Sequence, residues 1–159
     1  MKLILACTPD GGIGKDNSLP WPMLEGDLPR FKALTTNQVI VMGKNTWESL
    51  PRKPLPNRLS FVVTSSTDLV LPSGAIRVSD LSHFAHFKNA WLIGGAQLVN
   101  SSWDFIDEVH LSRTLNHFDC DCFISLSYLE NNYTCVQKSE HIDHTYEIWK
   151  KNGTVSQST

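Results

Sequence analysis

Two stretches of this chain pair glycines with groups that suit phosphate. Gly43 leads into Lys44-Asn45-Thr46, and Gly94-Gly95 leads into Ala96-Gln97-Leu98, each directly after a run of β-type residues. A glycine opening a helix leaves backbone N–H groups and the positive end of the helix dipole free for an anion. Lys44 and the Thr46 hydroxyl stand beside the first turn, and Thr64, Ser65 and Arg77 add two hydroxyls and a guanidinium. Each turn alone is equally a tight strand-to-helix connection, since neither matches the Walker A loop or G-x-G-x-x-G. Together they suit an extended ligand carrying several phosphates, such as a dinucleotide.

A different chemistry attaches to Asp27. It starts a segment whose apolar residues Leu28, Phe31 and Leu34 recur at helical spacing, and it follows the rigid, apolar Leu19-Pro20-Trp21-Pro22. Two readings of its carboxylate stand side by side. It is an N-cap or first-turn partner of the helix dipole, or an anion in an apolar cleft that holds a cation or a planar amidine-like N–H pair through two bonds. Pterins and similar heterocycles present such an edge.

These residues need a frame. Short β-branched or apolar runs at 2–7, 38–42, 59–64, 75–78, 90–93 and 107–114 predict strands, and residues 27–35, 44–50, 80–87 and 95–103 carry helical spacing. Pro29 sits near the start of the first helix, where its missing N–H costs little. Tyr133 to Lys138 and Thr145 to Lys150 read as two more strands around a polar turn at 141–144, an antiparallel hairpin at one edge. The expectation is an α/β fold: a mostly parallel eight-stranded sheet, flanked by four helices, with an antiparallel C-terminal edge strand. In open parallel sheets ligands bind beyond the carboxyl ends of the strands, where Asp27 and the glycine turns fall.

Length and charge narrow the rest. The chain has 159 residues, with 14 basic against 16 acidic side chains and a net charge of −2. One domain is expected over 1–150 with a polar, disordered tail over 151–159. So even a balance supplies no field for nucleic acid or an anionic membrane surface. The first apolar run is too short for a signal peptide or a membrane span, so a soluble cytoplasmic protein is expected. The cysteines Cys7, Cys120, Cys122 and Cys135 read as buried free thiols of a reducing compartment. Cys120 and Cys122 with His117 lack a second ligand pair, and no metal site is expected.

In combination the motifs are specific. Asp10-Gly-Gly-Ile13-Gly14-Lys-Asp-Asn17-Ser18-Leu19-Pro20-Trp21 is followed by Asp27-Leu28-x-x-Phe31-Lys32, by Val41-Met42-Gly43-Lys44-Asn45-Thr46-Trp47-Glu48-Ser49-Leu50-Pro51, and by Pro54-Leu55-Pro56-x-Arg58. Ile93-Gly94-Gly95 and Phe118-Asp-x-Asp121-x-Phe123 complete the series. In this order and spacing the chain resembles a dihydrofolate reductase over essentially all of residues 1–150.

The resemblance implies NADPH-dependent reduction of 7,8-dihydrofolate to 5,6,7,8-tetrahydrofolate. It assigns catalytic parts to Asp27, Trp21 and Ser112: the carboxylate holds the pterin edge, Trp21 anchors a water near it, and Ser112 stands behind it. Ile4, Ala6, Leu28, Phe31, Lys32, Leu50, Leu55 and Ile93 match the substrate walls, and Arg58 matches the cation that pairs with the substrate α-carboxylate. On the cofactor side, Ala6, Ile13 and Ile93 match the nicotinamide pocket, and Gly14, Asn17, Ser18 and Leu19 the loop that closes over it. Gly43, Lys44, Asn45, Thr46, Thr64, Ser65 and Arg77 match the adenosine-phosphate side. Gly94, Gly95, Ala96, Gln97, Leu98 and Val99 match the second turn, which in this family contains a cis peptide. The resemblance also implies a monomer that binds dihydrofolate and antifolates.

Three departures accompany it. Val99 stands where members commonly carry tyrosine, five residues separate Trp21 from Asp27, and Ile124-Ser125 replaces the usual Phe-Pro. A silent binding protein, a related reductase acting on another ring, and a zinc module are the rival readings. Arg58 and Phe31 argue against the other ring.

Overall fold

Alternate residues of the central strands feed two separate apolar cores. The computed structural model describes residues 1–153. Its strands are β1 (Lys2–Cys7), β2 (Gly12–Gly14), β3 (Val39–Gly43), β4 (Leu59–Val63), β5 (Ala75–Val78), β6 (Ala90–Leu92), β7 (Glu108–Thr114), β8 (Cys122–Phe123), β9 (Tyr133–Glu140) and β10 (His144–Lys151). The helices are α1 (Asp27–Thr35), α2 (Lys44–Ser49), α3 (Ala96–Asn100) and α4 (Leu126–Asn132). Leu3, Val41, Leu92, Val109 and Leu111 enter one core, whereas Ile4, Ile40, Met42 and Trp91 enter the other. A sheet covered on both faces needs apolar residues at successive positions, which is why these strands read as unbroken apolar runs.

Eight strands form one sheet in the order β5-β4-β3-β6-β1-β7-β10-β9. The first five neighbouring pairs are parallel, and β10 runs antiparallel to both β7 and β9. The hairpin thus closes one edge, with the last strand of the chain one place in from it. A separate two-stranded ribbon, β2 with β8, lies outside this sheet.

The helices differ from expectation in one place. Residues 80–87 form only a 3₁₀ turn at Ser82–Phe84. The Asp80 carboxylate accepts the Ser82 N–H at 2.7 Å and its hydroxyl, and the turn it starts closes through i→i+3 bonds from the Phe84 and Ala85 N–H groups to the Leu81 and Ser82 carbonyls. The fourth helix is instead α4, where Ser125 caps the N-terminus by accepting the Tyr128 N–H at 3.3 Å. The 95–103 helix is shorter than expected, ending at Asn100 before a 3₁₀ turn at Trp103–Phe105.

Two further expectations are corrected. Only Cys7 is buried; Cys122 is exposed, and Cys120 and Cys135 lie between. Lys151 belongs to β10 rather than to a tail, its N–H donating to the Asp107 carbonyl, and Asn152 bonds the Asn132 carbonyl. The remainder of the expected tail, 154–159, lies outside the described residues. Among the described residues no helix is long and apolar enough to cross a membrane.

Candidate active site

Asp27 is the first residue of α1, because Gly26 takes the N-cap position with φ 78° and ψ −2°. That left-handed conformation suits glycine. Of the two local readings, the first-turn one describes its backbone. The side chain meanwhile turns toward the sheet, 27% exposed. Ser112 on β7 donates its hydroxyl to Asp27 Oδ1 at 2.6 Å, a length typical of a bond to a charged acceptor. Register explains why Ser112 is there: β7 pairs Ser112 with Ala6 of β1 on one side and with Tyr146 of β10 on the other. Arg30, one turn along α1, brings Nη1 to 3.4 Å from the same Oδ1. Among the described residues no protein group donates to Oδ2. Trp21 is buried nearby in sequence, edge-on to Phe118 at 6.1 Å.

An apolar wall continues from α1. Phe31, Leu50, Leu55 and Ile93 are half-buried and pack on the core formed by Ile4, Ile40, Met42, Trp47, Val62 and Trp91, while Leu28 is 53% exposed and Lys32 reaches solvent. Arg58 is held beside it. Its Nε donates to the Pro56 carbonyl at 2.9 Å and its Nη1 to Thr35 Oγ1 at 3.1 Å, with the guanidinium 5.9 Å from the Phe31 ring centre. Thr35 is fully buried and its hydroxyl donates in turn to the Phe31 carbonyl. The fork is anchored on one side and leaves donors for a carboxylate.

At the ends of β3 and β6 the two glycine turns meet. The Gly43 N–H donates to the Gly94 carbonyl at 3.0 Å, and the Gly94–Gly95 peptide is cis. A Cβ on Gly94, which has φ 145°, would lie 2.9 Å from Thr46 Oγ1. The space between the turns therefore exists only because no side chain fills it. Neither α2 nor α3 has a side-chain cap, so their first N–H groups face outward with Lys44 and Asn45 at the start of α2 and Ala96 and Gln97 at the start of α3. Leu98 is half-buried against the core. Free N–H donors, one ammonium and a hydroxyl make a donor set that fits a phosphate-bearing cofactor.

Thr64 accepts the Ser66 N–H at 3.0 Å, beside the exposed Ser65, and Arg77 Nη1 donates to the carbonyls of Ser66 and Leu69 at 2.9 and 3.2 Å. Arg77 thus braces the loop that presents the hydroxyls, and its remaining donors stay free. One assignment is corrected: Val99 is fully buried among core residues and has no surface to offer a cofactor. A side chain of valine size closes the core at this point instead of reaching the cleft.

The glycine-rich loop beyond β1 is tied down. Ile13 and Gly14 lie in β2, and Lys15 and Ser18 exchange backbone bonds of 2.8 and 2.9 Å around Asp16 and Asn17, whose φ values are 51° and 61°. Two successive positive φ angles make a tight hairpin turn of the kind asparagine and aspartate tolerate. Asp121 accepts the Asp16 N–H at 3.0 Å, which holds its carboxyl below the ordinary value, and Lys15 pairs with Asp119. Leu19 projects from this loop, 62% exposed. Among the described residues no three His, Cys, Asp or Glu side chains converge on a metal position.

Sequence reasoning missed Arg30, Thr35 and the histidines behind Asp27. Arg30 lies three residues from Asp27, the spacing at which helical neighbours meet, so the pair was available as a signal. Thr35 and His144 carried none for their contacts with Arg58 and Arg30, which lie 23 and 114 residues away.

A family model described as dihydrofolate reductase matches residues 1–152. The chain belongs to the dihydrofolate reductase family. It is 39% identical to dihydrofolate reductase type 8 of Escherichia coli, over 93% of this chain and 94% of that protein. It is 35% identical to the dihydrofolate reductase of Bacillus subtilis, over 86% and 84% of the two chains. Among solved structures, a dihydrofolate reductase from Enterococcus faecalis complexed with NADP(H) and RAB-propyl superposes with a TM-score of 0.81 at 26% identity, covering 96% of each chain. The strand order and the antiparallel edge hairpin are thus those of a dihydrofolate reductase fold.

Proposed function

We propose that this chain reduces 7,8-dihydrofolate to 5,6,7,8-tetrahydrofolate with NADPH, and that Asp27 holds the pterin ring. The observation that carries the reading is the half-used carboxylate: Ser112 takes Oδ1, while Oδ2 is open beside an apolar wall. A carboxylate so placed accepts the ring N–H and the 2-amino N–H together, fixing the ring in register and favouring its protonated form. Phe31, Leu50, Leu55 and Ile93 sandwich the rings, and Arg58 pairs with the substrate's α-carboxylate. Lys44, Thr46, Thr64, Ser65 and the free N–H groups of α2 and α3 would hold the cofactor phosphates. When bound, NADPH supplies the hydride that C6 receives.

In this reading Asp27 grips the ring edge and does not itself pass the proton to N5. A water near Trp21 delivers it, so that the N5=C6 double bond gains one hydride and one proton. The loop around Ile13, Gly14, Asn17 and Leu19 excludes other water from that path. Four free cysteines fit a reducing compartment, and we place the chain in the cytoplasm as a monomer, open to antifolates that present the same amidine edge. The test is loss of reduced-nicotinamide absorbance on adding dihydrofolate, run with NADPH and with NADH. Dihydrofolate-dependent oxidation that prefers NADPH supports the reading; no turnover with tight NADPH binding overturns it.

A further inference from the structure

Arg30 is built into four contacts at once. Its Nη1 lies 3.4 Å from Asp27 Oδ1, 3.3 Å from Ser112 Oγ and 3.3 Å from His144 Nε2, and its Nη2 lies 3.3 Å from His141 Nε2. The guanidinium also stacks on the Tyr146 ring, 4.0 Å from its centre. Its side chain is only 17% exposed. A surface ion pair needs none of this, because an exposed arginine meets its carboxylate with a free and mobile head group.

The bond pattern assigns the histidine protons. A guanidinium only donates, so both Nε2 atoms must carry lone pairs. His144 is fully buried, and its Nδ1 lies 2.7 Å from the Asp143 carboxylate, to which it donates. The other oxygen of Asp143 accepts the Glu25 N–H at 3.0 Å, two residues before Asp27. His141 stacks on His144 with ring centres 4.6 Å apart and planes 7° from parallel, and Ser139 Oγ sits 3.1 Å from its Nε2. A closed circuit therefore runs from the loop before α1, through the β9–β10 turn, to the carboxylate.

We propose that Arg30 is a positioning residue for Asp27, clamped by the stacked His141 and His144. The proposal rests on the reductase reading of the same site. Arg30 and Ser112 both approach Oδ1, which leaves Oδ2 to the substrate. The charged and titratable groups around Arg30 are Asp27 on α1, His141 and Asp143 in the turn, and His144 and Tyr146 on β10. Behind Tyr146, His110 and Glu108 on β7 complete the set.

The test compares Arg30→Met, Arg30→Lys and His141→Gln with the parent. Steady-state kinetics would be read beside binding of a 2,4-diaminopyrimidine to the NADPH-free protein by tryptophan fluorescence, at one neutral pH. Arg30→Met is expected to raise both KM for dihydrofolate and the diaminopyrimidine Kd about tenfold, with kcat falling less than about threefold and the Kd for NADPH unchanged. Arg30→Lys restores the charge but not the fork, and should recover part of the loss. His141→Gln, at a partly exposed position, loses the ring that stacks on His144 and should raise the diaminopyrimidine Kd about threefold. Values of KM and Kd within about twofold of the parent in Arg30→Met, or an equal loss of NADPH affinity, would overturn the proposal. If Arg30→Met does not fold, a diaminopyrimidine Kd in His141→Gln equal to the parent's overturns it. A parent that binds the diaminopyrimidine without turning over dihydrofolate refutes the reductase reading alone, and the binding series still decides the part played by Arg30.

Discussion

Ser112 and Arg113 are neighbours on β7, and each serves a carboxylate on an opposite face of the sheet. On one face Glu147 accepts Arg113 Nε and Nη2 at 3.2 and 3.1 Å, the Thr145 hydroxyl at 2.8 Å and the Trp149 ring N–H at 2.9 Å. Burial pushes its carboxyl up, but the bonds from Trp149, Thr145 and Arg113 more than reverse this and hold it below the ordinary value. On the other face Asp27 has one short bond, one longer contact from Arg30, and an oxygen with no protein donor. A carboxylate with every acceptor site filled can only hold the fold together. One left half-filled beside an apolar wall is ready for a ligand, and this difference, more than burial or charge, separates the two.

The comparison can be broken in four ways. Asp27→Asn removes the charge while preserving shape, and should lower dihydrofolate reduction at neutral pH about a thousandfold with partial recovery in acid. Its denaturation midpoint should match the parent's; unchanged kinetics at every pH would remove Asp27 from the site. Glu147→Ala should do the reverse, leaving Arg113 without its partner and costing about 3 kcal/mol of stability in urea unfolding. Its KM and kcat at low temperature should stay those of the parent. A loss of turnover comparable to that of Asp27→Asn would show that the two faces are not independent.

Arg58→Leu sharpens the picture on the ligand side, raising KM for dihydrofolate about tenfold with no change in NADPH affinity as measured by fluorescence titration. The smallest effect concerns pH. Burial holds His110 below its ordinary value of 6.5, so the unfolded chain takes up a proton there first. Its contribution to stability is present above that value and is lost as the pH falls below it. Glu147 behaves likewise from its ordinary value of 4.5 downward. Urea midpoints measured from about pH 8 to about pH 3 should therefore fall in two steps, and Glu147→Ala should shrink only the lower one.

Much of this was legible in the sequence, for identifiable reasons. The central strands are covered on both faces, so apolar residues run without interruption and the strands stand out. The glycine turns show because their residues are locally unusual. Where the local signal is incomplete, reading failed: the turn after Asp80 closes i→i+3 bonds and runs no further than Phe84, and α4 is seven residues long and passes straight into β9 without a turn signal. Within the site, Asp27 could be found from its apolar surroundings, whereas the Arg30 circuit depends on His141 and His144, which are 111 and 114 residues away along the chain. His141 and His144 read as polar turn residues because only packing of β10 against β7 reveals what they face.

The strand order has a consequence for how the chain acquires its shape. β1 lies between β6 and β7, with Leu3 opposite Leu92 on one side and Val109 on the other. β1 is thus synthesised well before either of its partners and waits for both. Contacts this distant close large loops before any pairing energy is gained, which slows folding and exposes an unpaired apolar strand in the meantime. A nascent chain arrested before residue 90 therefore carries β1 without either neighbour, open to proteases and chaperones in a way that the finished sheet is not.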